Sequence, residues 1–434
     1  MVTKVVIVGA GPCGVLLAHY LRQRSDRYYV HLCDRRPNPC QVPFANSRTY
    51  PITLNERAFN ALRPIEGLEN LVKENTIPIL GSVFHRSKGK TRSSTREKPL
   101  YCIDRTELVK VLLSELITKS NSDQLTTYFN CNLEKLDSNK KQATFQNEDQ
   151  ETLTISYDLL IGTDGANSAV RKSFLDTPLF ELEQRYVNDD YKTLFLPKTA
   201  ADKLKIQEAI HSWRHENGTT LLLVPQAGNT ASGVVTFPRG NSQIPQLSSS
   251  TEVLGFFNEH FPEIGQVLPE SEAQSFLEKK PSTVLTIRCN RYHQGDNVLI
   301  MGDAAHAVSP SLGQGCNAAL EDVFILNNLL NEYDDNYAKV FSQFTLRRRP
   351  DAHALQEMSD YAFPKSKSLF IELILRRKLF QNLHSFFPKL FPLFLFDMVS
   401  NTTLPYSEIY KYWEGWVQKV KTSNEKILQR QNHQ

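Results

Sequence analysis

No C-x-x-C pair occurs in this 434-residue sequence, and its seven cysteines stand apart at positions 13, 33, 40, 102, 131, 289 and 316. An odd, scattered set argues against a disulfide framework and against a zinc site. It fits a reducing compartment, so a cytoplasmic location without bound metal is expected. Charge of one sign is scarce too. The net charge is only +3, and no basic stretch interleaved with aromatics accompanies it, which argues against a nucleic-acid partner. Long apolar runs are missing. The late stretch Phe386 to Val399 is broken by Pro388, Lys389, Pro392 and Asp397, so it is too short and interrupted to span a bilayer. The apolar stretch Val5 to Leu21 has no convincing cleavage site and carries glycines at fixed spacing, so it is not read as a signal peptide. What is there, 40% hydrophobic and 22% charged residues, describes a globular chain long enough for two or three domains.

The stretch from Val298 to Asp322 carries the densest pattern. Val298 to Met301 read as a short buried strand that stops at Gly302. Asp303 follows the strand end, where open α/β sheets bind ligands. Pro310, Gly313 and Gly315 make a turn of little bulk, which lets backbone approach a flat ligand. Cys316 sits in that turn, and Asn317 to Asp322 opens a helix whose N–H groups and dipole favour negative charge. An acid, a glycine turn and a helix start suit a cofactor with a polyol arm and a ring that becomes anionic on reduction, as a flavin does. An ordinary strand–turn–helix with incidental glycines is the plain alternative.

At the N-terminus, Lys4 to Val8 reads as a strand buried on both faces. Gly9-Ala-Gly11-Pro-Cys13-Gly14 follows, and Val15 to Arg22 has helical periodicity. That context gives the G-x-G-x-x-G pattern its meaning: a tight turn, close approach of a pyrophosphate, close helix packing. Val30 to Asp34 is a second strand whose terminal acid can accept from an adenosine ribose, with Arg35 and Arg36 beside it for a phosphate. FAD and NAD(P) both remain open here. The second half of the ligand, held by the 298–322 stretch, decides for FAD. No second G-x-G-x-x-G occurs, so a nicotinamide reductant, NADPH or NADH, visits a cleft rather than owning a domain.

Between these blocks, Arg48 to Leu62 carries a turn at Tyr50-Pro51 and a helix capped by Asn55. Residues 76 to 101 read as strands and loops. Arg105 opens a helix to about Leu116, and its unfavourable place in the first turn favours an anion partner such as a cofactor phosphate over plain solvent exposure. Tyr157 to Arg171 contains a strand, the Asp164-Gly165 turn and a helix start at Ser168; Asp164 and Arg171 are expected either to hold each other and a passing cofactor or to pin the corner by a salt bridge. From 178 to 285, strands at Lys192 to Leu196, Thr219 to Val224 and Gly233 to Phe237 alternate with period two, and helical pieces at Asp202 to Trp213 and Glu252 to Phe261 cover them. Val284 to Cys289 reads as the returning strand. Helices are expected from Asp322 towards Asn331 and from Tyr337 to Arg349. The basic, phenylalanine-rich tail beyond Arg347 either caps an apolar pocket of its own protein or makes peripheral contact with a membrane. His306, Cys13 and Cys316 show no partner for acid–base or thiol chemistry.

In series, the Gly9/Gly11/Gly14 loop, the Asp164-Gly165 corner and Gly302-Asp303-Ala-Ala-His306 with Pro310, Gly313 and Gly315 resemble the FAD-dependent aromatic hydroxylases (class A flavoprotein monooxygenases of the p-hydroxybenzoate hydroxylase fold). Within them the chain is most similar to the kynurenine 3-monooxygenase group, over nearly its whole length. The resemblance implies that Asp34 binds the ribose, Arg105 the phosphate or ribityl region and Asp303 the ribityl chain. It places Pro310 and the backbone from Gly313 to Asn317 along the isoalloxazine, and Arg48 and Cys13 beside the cofactor. It also implies reduction by NAD(P)H, a flavin C4a-hydroperoxide formed with O2, and hydroxylation of an aromatic or other apolar small molecule. That group grips the amino-acid end of its substrate at positions falling here at Leu80 to Ser82, Pro99, Ala362 and Tyr406. Only Tyr406 matches, which implies a different, less polar substrate, with Arg86, Arg92 or Arg96 as substitutes if the substrate is kynurenine itself. No W-x-W-x-I-P segment marks a halogenase, and a non-catalytic FAD-binding protein is the alternative from another class. The expected fold is α/β: a Rossmann-like FAD-binding domain from 1–75, 101–177 and 286–350, an inserted antiparallel substrate domain from 76–100 and 178–285, and a helical C-terminal region, 351–434, capping the active site.

Overall fold

The computed structural model describes residues 2–24, 27–42, 50–85, 91–121, 123–240 and 242–432; Arg48 and Arg86 lie outside them. A six-stranded sheet runs in the order His293–Gln294, Val298–Ile300, Leu159–Gly162, Thr3–Val8, Tyr28–Cys33, Leu125–Tyr128. All its pairings are parallel except the first. Val5, Val6 and Ile7 are fully buried, as a β-branched run between two covered faces requires. Helix Pro12–Gln23 packs between helices Arg105–Thr118 and Gly315–Glu332. These elements share one core, so the two ends of the cofactor pattern meet in space although they stand three hundred residues apart.

The second sheet has eight strands in the order Ser282–Cys289, Leu182–Leu196, Thr230–Pro238, Thr220–Gln226, Ala209–Arg214, Ile77–His85, Arg92–Asp104, Pro51–Leu54. Burial alternates strictly along Thr230–Pro238. Its buried side, with Leu221, Leu223, Val235 and Phe237, packs under helices Lys198–Leu204, Ser250–His260 and Glu270–Glu278. A separate small cluster of Ile79, Leu100, Cys102 and Val224 lies in the same sheet. Strands Asn132–Asp137, Gln142–Gln146 and Thr152–Ser156 form a small antiparallel meander.

Three expectations change. The helical piece Asp202 to Trp213 is instead a helix, Lys198–Leu204, followed by a strand, Ala209–Arg214. Lys205 at φ 54° stops the helix, and the next segment fills a slot between Ile77–His85, which it pairs in parallel, and Thr220–Gln226. Helix Tyr337 to Arg349 continues through Pro350 to Asp360, because buried ion pairs of Arg348 and Asp351 on either side hold the turn that proline would open. The helix expected from Asn317 begins at Gly315. In the tail, helices Lys367–Phe386, Leu395–Asn401 and Tyr406–Asn432 build their own core around Phe394, Met398, Trp413 and Val417, which also takes in Ala318 from the helix Gly315–Glu332. Among the described residues, no helix is long and apolar enough to cross a membrane.

Candidate FAD site

The first glycine loop is dictated by contact. Gly9 has φ +108°, and a Cβ there would fall 2.5 Å from the Thr163 carbonyl oxygen. A Cβ on Gly14 would fall 2.0 Å from the Gly9 carbonyl oxygen. Gly11 is different: a Cβ would meet only Arg105 Nη2, at 3.4 Å. The Arg105 guanidinium therefore reaches over the mouth of the loop. The helix behind starts with Pro12, has no side-chain cap and no acid in its first turn, so no side chain of its own first turn answers its N-terminal dipole. Arg36 lies within electrostatic reach of Arg105, Asp34 and Tyr50. Asp34 accepts from Ala10 N at 2.7 Å and from Arg36 N at 2.8 Å, which fixes its carboxylate at the loop. Arg35 and Arg36 are both exposed.

The second wall rises at Asp303, which is exposed and opens the short helix Asp303–His306. Gly315 stands opposite, a Cβ there falling 3.9 Å from Asp303 Oδ1. Tyr50, read from sequence only as a turn residue, lies within electrostatic reach of Arg105, Asp303, Tyr191 and Cys316. Two cations, an acid and the phenol thus converge between the glycine loops. Pro310–Leu312 is a 3-10 turn ending in Gly313 at φ +64°. Asn317 is fully buried, and its side chain accepts from Asn55 N at 2.9 Å and donates to Thr53 O at 2.9 Å and Gly313 O at 3.0 Å. It shapes the loop from behind rather than facing it. Gln314 Oε1 accepts from Asn55 Nδ2 and from the Tyr406 hydroxyl, both at 3.1 Å. Burial, then Asp322 and Asp303, pushes the Cys13 thiol well above its ordinary value, and burial pushes Cys316 up to about 12. Both stay as neutral thiols.

The corner at Asp164 is closed. Its carboxylate accepts from Ser168 Oγ (2.6 Å), Ala169 N (2.6 Å) and Val170 N (3.2 Å). Burial raises its pKa even against these bonds, which lower it. Arg171 donates to Ala304 O and Ala166 O instead of to Asp164, so the expected pair does not form. Arg171 ties the corner to the Asp303 helix.

Beneath the site lies an ionic cluster that the sequence did not disclose. Asp322 accepts from Gly302 N (2.8 Å), His306 Nε2 (2.6 Å) and Arg348 Nε (2.7 Å). His306 therefore does have a partner, against the expectation. Arg348 also pairs with Glu321 and Asp351. Arg57 pairs with Glu321, donates to Leu404 O and lies 4.0 Å over the Tyr406 ring. Burial opposes ionisation of Asp322, but the charges of His306 and Arg348 prevail and hold it at about 2.

These residues fit a flavin dinucleotide. The glycine cradle admits no side chain at Gly9 or Gly14, Arg105 and Arg36 have no ion pair among the described residues, and Asp303 has no hydrogen-bond partner there. The comparisons agree. The FAD binding domain family matches residues 2–357, and the chain belongs to that family. Its relatives narrow the class. Kynurenine 3-monooxygenase of Sus scrofa is 27% identical, covering 96% of this chain and 88% of its own length. That of Flavobacterium psychrophilum is 29% identical over 93% and 90%. Among solved structures, 2-methyl-3-hydroxypyridine-5-carboxylic acid oxygenase superposes with a TM-score of 0.68 at 20% identity, over 83% of this chain and 91% of the other. The tetracycline destructase Tet(51) gives 0.63 at 19%, over 93% and 100%. The protein is an FAD-dependent monooxygenase.

Proposed function

We propose that this monooxygenase hydroxylates an aromatic or otherwise apolar small molecule other than kynurenine. FAD would be held by segments 1–75, 101–177 and 286–350, the substrate by 76–100 and 178–285, under the helices of 351–434. When bound, FAD supplies electron uptake from NADPH or NADH and activation of O2. The chain's residues bind and orient. Gly9, Gly11 and Gly14 admit the pyrophosphate, with Arg105 and Arg36 opposing its charge, and Asp34 takes the ribose. Asp303 takes the ribityl hydroxyls. The Gly315–Glu332 helix start offers positive N–H groups where the reduced ring gains charge.

The observation that carries the substrate reading is the missing clamp. Ala362 and Pro99 offer no side-chain hydrogen bond, Leu80 is apolar, and the Tyr406 hydroxyl is committed to Gln314. One feature favours a second reading, a rearranged kynurenine site. Arg96 is half-buried, its Nε has no partner, and it shares the strand that sends Lys98 to Asn401 O in the C-terminal helices. Arg92, by contrast, is exposed. The test is NADPH oxidation and labelled-oxygen incorporation with the yellow protein across kynurenine and apolar aromatics. Coupled turnover of an apolar aromatic without kynurenine turnover supports the first reading. Tightly coupled kynurenine hydroxylation, abolished by Arg96→Met, establishes the second.

A further inference from the structure

Helix Lys367–Phe386 is 20 residues long and buries one of them, Leu373. Its inner side is fixed by contacts. Phe380 meets Trp413 edge-on at 4.8 Å, the Arg376 guanidinium lies 5.3 Å over Trp416, and Arg377 Nη2 reaches Asp397 at 2.9 Å. At about 100° per residue the opposite side carries Ile371, Leu375, Leu379 and Phe386. They are 58, 63, 53 and 77% exposed, and the turn after the helix adds exposed Phe387 and Leu390. Single exposed apolar side chains are ordinary; an aligned row about 22 Å long is not.

The charge around the row has one sign. Lys367, Lys378 and Lys389 are exposed on or beside it and have no ion pair among the described residues. The one acid between residues 365 and 389, Glu372, is closed in pairs with Arg376 and Lys419. A second copy packed on this face would bring lysine against lysine with no acid to answer it. An anionic lipid surface takes both features at once: the apolar row enters the acyl boundary, and the lysine stems reach up to the phosphates.

We propose that this face lies in the interface of an anionic bilayer, with the helix parallel to the membrane plane and the protein peripheral. The proposal is independent of the substrate reading. The FAD-loaded protein should float with phosphatidylcholine vesicles containing phosphatidylglycerol, and less so as salt rises. Phosphatidylcholine alone should bind it weakly. L375E combined with L379E should lower vesicle partitioning by at least about tenfold with FAD absorbance intact. K378E combined with K389E should remove the preference for phosphatidylglycerol. Phe386→Trp, placed to survive if the double glutamate variant folds poorly, should shift its emission to the blue when the anionic vesicles are added. Absence of binding to either vesicle, partitioning unchanged by L375E/L379E, or a concentration-dependent dimer lost in that variant in place of vesicle binding overturns the proposal.

Discussion

Replacing Asp322 by asparagine tests the buried cluster directly, because asparagine has nearly the shape of a protonated carboxyl. In the folded protein the carboxyl titrates at about 2 against an ordinary 3.8. At about 1.4 kcal/mol per tenfold change in proton affinity, the folded state prefers the charged form by about 2–3 kcal/mol. Asp322→Asn should therefore lose about 2–3 kcal/mol at pH 7. Its amide N–H groups would also face His306 or Arg348, which only adds to the loss. For a chain of 434 residues this is about 3 °C in Tm. The sign follows from the depressed value. The stabilisation is complete above pH 3.8 and disappears as the pH falls through about 2, so the gap between parent and variant narrows on acidification, by about 1 kcal/mol at pH 3. Urea denaturation of both proteins at a series of pH values reads it. A variant as stable as the parent at neutral pH, or a gap that widens in acid, refutes the reasoning.

Asp303→Ala should leave the fold intact by circular dichroism and lose FAD occupancy; fully retained visible flavin absorbance removes Asp303 from the site. Arg105→Gln should weaken FAD binding by about tenfold or more and flatten its salt dependence, read by titration of the apoprotein; an unchanged affinity at low salt contradicts a phosphate role. Tyr406→Phe removes one buried hydrogen bond to Gln314 and should destabilise by about 1 kcal/mol. Substrate-dependent flavin reduction, followed by stopped flow, should change more than FAD content; an unaltered rate takes Tyr406 out of the reaction.

What the sequence made legible is what local contact enforces. Gly9 and Gly14 have no room for a side chain, and Asn55 caps its helix through Arg57 N, so the glycine loop and the cap are written in neighbouring residues. Asp303 was legible because a strand end and a glycine turn bracket it. The cluster of Arg57, Glu321, Asp322, Arg348 and Asp351 was not, since an arginine looks alike in sequence whether it faces water or a carboxylate 264 residues away. Trp213 was placed on a helix although its antiparallel partner, Leu221, stands close in sequence; its parallel partner, His85, lies far upstream and gives no local sign. Tyr50 comes within electrostatic reach of Arg105 and Asp303 only through folding of the segments that bear them.

The pairing order of the parallel sheet sets a timetable. Strand Thr3–Val8 must wait for Leu159–Gly162, and that strand for Val298–Ile300, whereas every strand of the eight-stranded sheet has been synthesised by Cys289. On the ribosome the eight-stranded sheet can therefore mature while the Gly9–Gly14 loop still lacks its far wall. FAD, which would draw on both ends of the chain, is therefore expected to bind only after strand Val298–Ile300 has been made, and its binding would then add to the stability of the folded state.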